Sequence, residues 1–167
     1  THIMTKPYIL KMRPYLRSKI WGGRKLDTVF GKDLPDDGEP YGEAWEVADL
    51  PEGQSIIANG ELEGQPLEQA VDAWGKDLVG TDSPRGSFPL LVKILDAQAD
   101  LSVQVHPGEH DLDHLPEGAE SKDECWLILD ADEGGSILHG FDHDVDPDEF
   151  RTAVEENRAA DMLRRIE

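Results

Sequence analysis

The chain has 167 residues, 36 of them acidic against 16 basic, and a net charge of −20. That length supports one domain with a sizeable core, and that field repels nucleic acid and anionic membrane surfaces. No run of about eighteen apolar residues occurs, which excludes a membrane-spanning helix.

The single cysteine, Cys125, excludes an internal disulfide and fits a reducing, cytoplasmic setting. The opening Thr-His-Ile-Met-Thr-Lys lacks an apolar signal core, so secretion is not indicated. The acidity reads as solubility, salty surroundings included. A phosphorylated ligand, itself an anion, would need a local cluster of Lys and Arg to bind here.

Taken in order, Tyr8 to Met12 reads as a short strand. Ile20-Trp21-Gly22-Gly23 reads as a strand end followed by a glycine turn, with Trp21 as a core plug. Lys32 to Pro40 is an acidic, proline-bearing loop. Glu43 to Val47 reads as a strand, with Glu43, Trp45 and Val47 on one face and Glu46 on the other. Gln54 to Ile57 gives another, closed by the Asn59-Gly60 turn signal.

Residues 66–79 read as a helix. Leu67, Val71, Trp74 and Leu78 recur at helical spacing, Pro66 suits the first turn and Gly80 the stop. This stripe is packing. Thr81 to Ser87 is a loop. Phe88 to Leu95 is almost wholly apolar, the pattern of a strand buried on both faces, interrupted by Lys93. A lysine there must be paired, reach water, or line a polar pocket.

The informative stretch is Asp100 to Leu129. In its first strand Leu101, Val103 and Val105 alternate with Ser102, Gln104 and His106, and Pro107 ends the ladder. In its second, Lys122, Glu124, Trp126 and Ile128 share a face, leaving Cys125 on the core side as a packed thiol. Burying such polar faces without partners costs several kcal/mol. They must look onto water, a metal or a substrate. Adjacent strands would bring Gln104, His106 and Glu124 together, an O/N donor set suited to zinc or another divalent ion. His110 and His114 fall in the acidic connector and read as loop residues.

Asp130 to Gly135 reads as a turn and Ser136 to Leu138 as a strand; His139 and His143 have no partner at ligand spacing. Asp146 caps a helix with Pro147 in its first turn. The apolar stripe of Phe150, Val154, Met162, Leu163 and Ile166 makes 146–167 helical, as two short helices broken near residues 157–159. No repeat, P-loop or G-x-G-x-x-G is present, so 1–167 is taken as a single domain.

Five blocks, in order, resemble type I mannose-6-phosphate isomerases (phosphomannose isomerases). They are Lys19 to Leu26 (K-I-W-G-G-R-K-L), Tyr41 to Ala48 (Y-G-E-A-W-E-V-A), Phe88 to Ala97 (F-P-L-L-V-K-I-L-D-A), Leu101 to Pro107 (L-S-V-Q-V-H-P) and Lys122 to Trp126 (K-D-E-C-W). The resemblance implies a mainly β fold, a cupin-type double-sheet jelly roll with residues 66–79 and 146–167 as helical insertions. It implies a metal-dependent aldose–ketose isomerase that interconverts mannose 6-phosphate and fructose 6-phosphate through a cis-enediol. One Zn²⁺, or another divalent ion, would sit on Gln104, His106 and Glu124. Lys122 and Lys93 are the catalytic candidates, for orienting the sugar or its phosphate or for proton transfer. Ser102, Trp21 at the pocket edge and Glu43 are the substrate-binding candidates.

The family pattern continues with a further metal-binding histidine and a substrate-binding arginine, for which the sequence has no matching positions before Glu167. Three readings stay open: a fragment, the N-terminal part of a longer protein, or a homo-oligomer completed by a second copy. The competing functional reading is a non-catalytic cupin fragment or module that binds a metal or a sugar phosphate. A third is a structural jelly roll with an accidental polar strand.

Overall fold

The structure, a computed structural model, describes residues 6–81, 86–117 and 119–167. It comprises two compact units, Thr1–Leu101 and Ser102–Glu167.

In the first unit the chain runs through β1 (Met12–Arg13), β2 (Tyr15–Gly23), α1 (Lys25–Thr28), β3 (Tyr41–Val47), β4 (Asp49–Leu50), β5 (Gly53–Gln54) and β6 (Ile56–Ile57). Helices α2 (Leu67–Trp74) and α3 (Lys76–Val79) follow, then β7 (Val92–Leu95). Strands β2, β3 and β7 form an antiparallel sheet in that order, while β1–β6 and β4–β5 are small two-stranded ladders. Alternation makes the main sheet two-faced. Leu16, Ala44 and Ile94 point to one side and pack with Leu26, Leu34 and Tyr41. The other side carries Glu43 and Trp45.

A second core lies under α2. Ile57, Leu62, Leu67, Ala70, Val71 and Trp74 are buried together, with Tyr8, Leu10 and Met12 packed against them. The Tyr8 ring meets Trp74 edge-on at 5.2 Å. Its hydroxyl donates to the Asn59 carbonyl and accepts from the Leu62 amide, which ties the N-terminal segment to the turn after β6. The helical stripe predicted over Leu67, Val71 and Trp74 is borne out.

Three expectations in this unit need correction. The single helix over 66–79 is broken at Gly75, whose φ of 49° takes the chain out of the α region, so α2 ends there and α3 begins. Gly22 and Gly23 do not turn the chain but lie inside β2. A side chain on Gly22 would collide with the β3 backbone at Tyr41 and Gly42, and one on Gly42 would meet the Trp21 ring at 2.5 Å. These glycines allow two strands and an indole to approach closely. The strand expected to be buried on both faces is only β7, with Leu90 62% and Val92 48% exposed. Among the described residues it is an edge strand, hydrogen-bonded to β3 alone. The loop expected over Thr81 to Ser87 falls largely outside the described residues.

In the second unit β8 (Ile137–Phe141) pairs antiparallel with β9 (Leu163–Ile166), and α4 (Pro147–Glu155) lies between them in sequence. Phe141 and Phe150 meet edge to face at 5.2 Å, and Ala153 and Met162 are buried. Asp146 caps α4, accepting hydrogen bonds from the Asp148 and Glu149 amides. The stretch 146–167 is therefore not helical throughout: after a 3₁₀ turn at Ala159–Met162 it becomes strand β9. The pairing with β8 decides this, because Leu163 and Ile166 answer Phe141 and Ile137 across the ladder.

The two strands predicted at 101–106 and 122–129 are not formed as ladders among the described residues. Both segments bear exposed apolar side chains, with Val105 92% and Leu127 82% exposed. One backbone hydrogen bond joins their neighbourhoods, from the Lys122 amide to the Pro107 carbonyl at 3.2 Å. Cys125 is exposed rather than packed. Alternation fixes which residues share a face, but burial needs something against that face.

Candidate metal and substrate site

Although their segments are not paired as strands, His106 and Glu124 come together. His106 Nε2 lies 3.0 Å from Glu124 Oε2. Lys122 joins them, its Nζ 3.2 Å from His106 Nε2 and 3.2 Å from Glu124 Oε1. The backbone bond from Lys122 to Pro107 sets this meeting, because Pro107 follows His106 and Lys122 precedes Glu124 by two residues. The imidazole and carboxylate are each about one-quarter exposed, at 26% and 23%.

One nitrogen cannot serve both neighbours at once. As Nε2–H it donates to Glu124; as a bare lone pair it accepts from Lys122 and is the form that ligates a metal. Burial alone would raise the Glu124 carboxyl pKa. Hydrogen bonds from His106 and Lys122, with the Lys122 charge, outweigh that and hold it below its ordinary value.

Gln104 keeps different company. Its side-chain amide donates to Ser102 Oγ at 3.1 Å. Among the described residues no three His, Cys, Asp or Glu side chains gather as a metal cluster, so a cation held here needs the Gln104 amide or a donor from elsewhere. The donor chemistry nonetheless fits a divalent ion. A carboxylate kept ionised and an imidazole nitrogen meet at one point, and the Lys122 ammonium occupies the place where positive charge is favoured.

The remaining predicted residues lie in the first unit. Glu43 is buried at 8% exposure, and its Oε2 accepts the Trp45 indole N–H at 2.8 Å. Its other oxygen stands 3.9 Å from Lys93 Nζ and 3.8 Å from Lys19 Nζ. Lys93 is thus ion-paired from an edge strand, directly across from Trp45 in the ladder. Trp21 packs over Gly42.

Two cations of this face escape the sequence reading: Lys19, and Arg17, whose guanidinium sits 4.6 Å over the Trp45 ring. A signal was present. Tyr15, Arg17 and Lys19 alternate along β2 and could have been assigned one face. The bulge that carries β2 past Ser18 could not have been foreseen.

The family model for the catalytic domain of type I phosphomannose isomerase matches residues 9–124, a span that holds both clusters. The chain belongs to the type I phosphomannose isomerases. Among its relatives in that family, the mannose-6-phosphate isomerase of Streptococcus mutans serotype c is 42% identical over 140 residues, covering 83% of this chain and 42% of the relative. The mannose-6-phosphate isomerase ManA of Bacillus subtilis is 35% identical over 162 residues, covering 97% of this chain and 49% of the relative. The crystal structure of mannose 6-phosphate isomerase from Bacillus subtilis superposes with a TM-score of 0.82 at 33% identity, over 95% of this chain and 49% of that one. The expected mainly β, cupin-like fold is borne out by this likeness. The chain spans about half the length of the relatives it matches.

Proposed function

We propose that the protein takes part in the metal-dependent interconversion of mannose 6-phosphate and fructose 6-phosphate, an aldose–ketose isomerisation through a cis-enediol. The observation that carries the reading is the meeting of His106, Glu124 and Lys122 within the residues matched by the isomerase family. His106 and Glu124, with Gln104 as a further donor, are the groups that would hold Zn²⁺. When bound, the ion would polarise the sugar's reacting oxygens and stabilise negative charge on them.

The chain's own groups supply the rest. Glu124 stays ionised because His106 and Lys122 both favour its charged form. Lys122 is placed to orient sugar oxygens beside that carboxylate or to carry a proton between C1 and C2. Ser102, hydrogen-bonded to Gln104, fixes that amide and offers a hydroxyl to the sugar. In the other unit Lys93 is the cation assigned to the sugar or its phosphate, with Glu43 and Trp21 as pocket residues. The lone exposed thiol suits a cytoplasmic setting.

The test is an isomerase assay coupled to the downstream hexose phosphate, with and without added zinc, alongside zinc analysis of the purified protein. Zinc-dependent turnover, lost in His106→Ala together with bound zinc, is the expected result. Unchanged zinc content in His106→Ala would refute the ligand assignment, while zinc binding without turnover would favour the non-catalytic binding module.

A further inference from the structure

Asn59-Gly60 is the one Asn-Gly pair in the sequence. Asparagine is thermolabile, and most so before glycine, which sets no side chain in the way of its own nitrogen. Both residues are nonetheless in use by the fold. Gly60 has a φ of 70°, and a side chain on it would run into the Tyr8 ring at 2.5 Å. Asn59 spends both ends of its amide on the N-terminal segment. Its Oδ1 accepts from the Lys11 amide at 2.7 Å, and its Nδ2 donates to the Ile9 carbonyl at 3.0 Å. The β1–β6 ladder pairs Met12 with Ile57, and beyond it the Ala58 amide donates to the Lys11 carbonyl at 2.7 Å. The Asn59 side chain continues those rungs where the backbone ladder has ended.

Burial does not shield the pair, since Asn59 is half-buried and Gly60 exposed. Conformation does. Loss of the amide needs the Gly60 nitrogen to bond to Asn59 Cγ, closing a five-membered ring. That ring demands the nitrogen nearly eclipsed with Asn59 Cβ. With ψ at 162°, Asn59 is extended and the nitrogen is turned away. The Tyr8 hydroxyl, donating to the Asn59 carbonyl at 3.0 Å, holds that peptide plane. Every restraint named therefore comes from residues 8–11. That segment is itself docked by the Tyr8 ring on Trp74, with Leu10 and Met12 packed on the same core. Lifting it frees the side chain and the peptide plane together.

We propose that Asn59 is a self-modifying site, deamidated through a succinimide with Gly60 only when residues 8–11 lift from the first unit. The Gly60 nitrogen gives up its proton and bonds to Asn59 Cγ. The Cγ–Nδ2 bond breaks, and Nδ2 leaves with that proton as ammonia. Water then opens the ring at either carbonyl, giving aspartate or isoaspartate, with nothing oxidised or reduced. Aspartate lacks the N–H that served Ile9. Isoaspartate lengthens the main chain by one carbon and displaces the carbonyl that Tyr8 holds. Either adds a negative charge to a chain already at −20. Re-docking is hindered, so a transient opening becomes permanent.

The test needs neither zinc nor turnover. The full chain is aged in mildly alkaline buffer, and aspartate and isoaspartate at position 59 are followed by peptide mapping. The folded parent should react far more slowly than the same chain in urea. Tyr8→Phe keeps the ring but removes a hydroxyl that bonds both the Asn59 carbonyl and the Leu62 amide. It should speed the reaction about tenfold, through the larger open population. Leu26→Val, in the other core cluster, should not, and Asn157, on an exposed turn before Arg158, should not respond to Tyr8→Phe. Aged chain should be cut by trypsin after Lys11 faster than fresh chain. The proposal is overturned if the folded parent reacts as fast as in urea, if Leu26→Val accelerates as much as Tyr8→Phe, if Asn157 speeds up equally, or if aged and fresh chains are cut alike.

Discussion

His106 Nε2 is the atom on which the second unit's chemistry turns. It faces a carboxylate that wants its proton and an ammonium that wants its lone pair, 3.0 and 3.2 Å away. Glu124 has a depressed folded-state pKa, so its contribution is present above the ordinary carboxylate value and is lost as pH falls through its own lower one. A ¹³C-carboxylate NMR titration should place Glu124 below the other glutamates, and Lys122→Met should move it up. A Glu124 that titrates with the bulk glutamates in the parent chain would remove the cluster. A cleaner pair lies in the first unit. Asp37 accepts from the Glu39 amide and from the Tyr41 hydroxyl at 2.8 Å, which lowers the Asp37 pKa and raises that of Tyr41. The sign for Tyr41 is the reverse of that for Asp37: its contribution is full below the ordinary phenol value and is lost as pH rises through the higher folded one. Absorbance titration should show one of the three tyrosines ionising late, and Asp37→Asn should bring it back. The imidazole and the carboxylate were readable as candidates from alternation, and Lys122 from the family resemblance. Cys125 was misplaced by the same logic, since its segment has no cover.

At the level of elements, helix signals were read well and helix ends badly. The α2 stripe was visible because Leu67, Val71 and Trp74 recur at the spacing of one helical face, and all three are buried. Trp74→Ala should destabilise the first unit by about 3–5 kcal/mol, measured as a lowered urea midpoint. The Asp146 cap was equally visible, and Asp146→Ala should cost about 1 kcal/mol, with Asp146→Asn nearly neutral in the same measurement. The break at Gly75 was not visible, because a glycine inside a periodic stretch is compatible with a helix until the surrounding chain pulls it to positive φ. Strands fared differently. Glu43 to Val47 was found with its sidedness, since one face is core and the other bears Glu43 and Trp45. The C-terminal strand β9 was read as helix because Met162, Leu163 and Ile166 keep the three- and four-residue spacings of a helical face. Its partner β8 settled the matter.

Across the whole molecule, charge is the property that dominates. With 36 acidic residues against 16 basic, like-charge repulsion acts against the compact state at low ionic strength. Raising potassium chloride from millimolar to molar should therefore raise the melting temperature, at roughly 2–4 °C for each kcal/mol of repulsion screened. A melting temperature that falls or stays flat over that range would show that surface repulsion is not a significant cost. The two units need not respond alike, because the first holds both buried clusters of the main core while the second exposes Val103, Val105, Trp126, Leu127, Ile128 and Leu129.

What the sequence determined by itself was local and chemical: family membership through five ordered blocks, the helical stripe, the Asp146 cap, and the candidacy of Gln104, His106, Glu124, Lys122 and Lys93. The stripe, the cap and the shared faces of Gln104 with His106 and of Lys122 with Glu124 rest on residues a few positions apart, where spacing fixes the face; the roles of Lys122 and Lys93 came from the family resemblance. Tertiary structure alone decided which of those groups meet. It joined His106 to Glu124 and Lys122, left Gln104 with Ser102, and drew Lys19 to Glu43 beside Lys93. Apart from Gln104 and Ser102, two positions apart, those partners are 16 or more residues apart in the chain, and no local pattern records the path that brings them within a few ångströms.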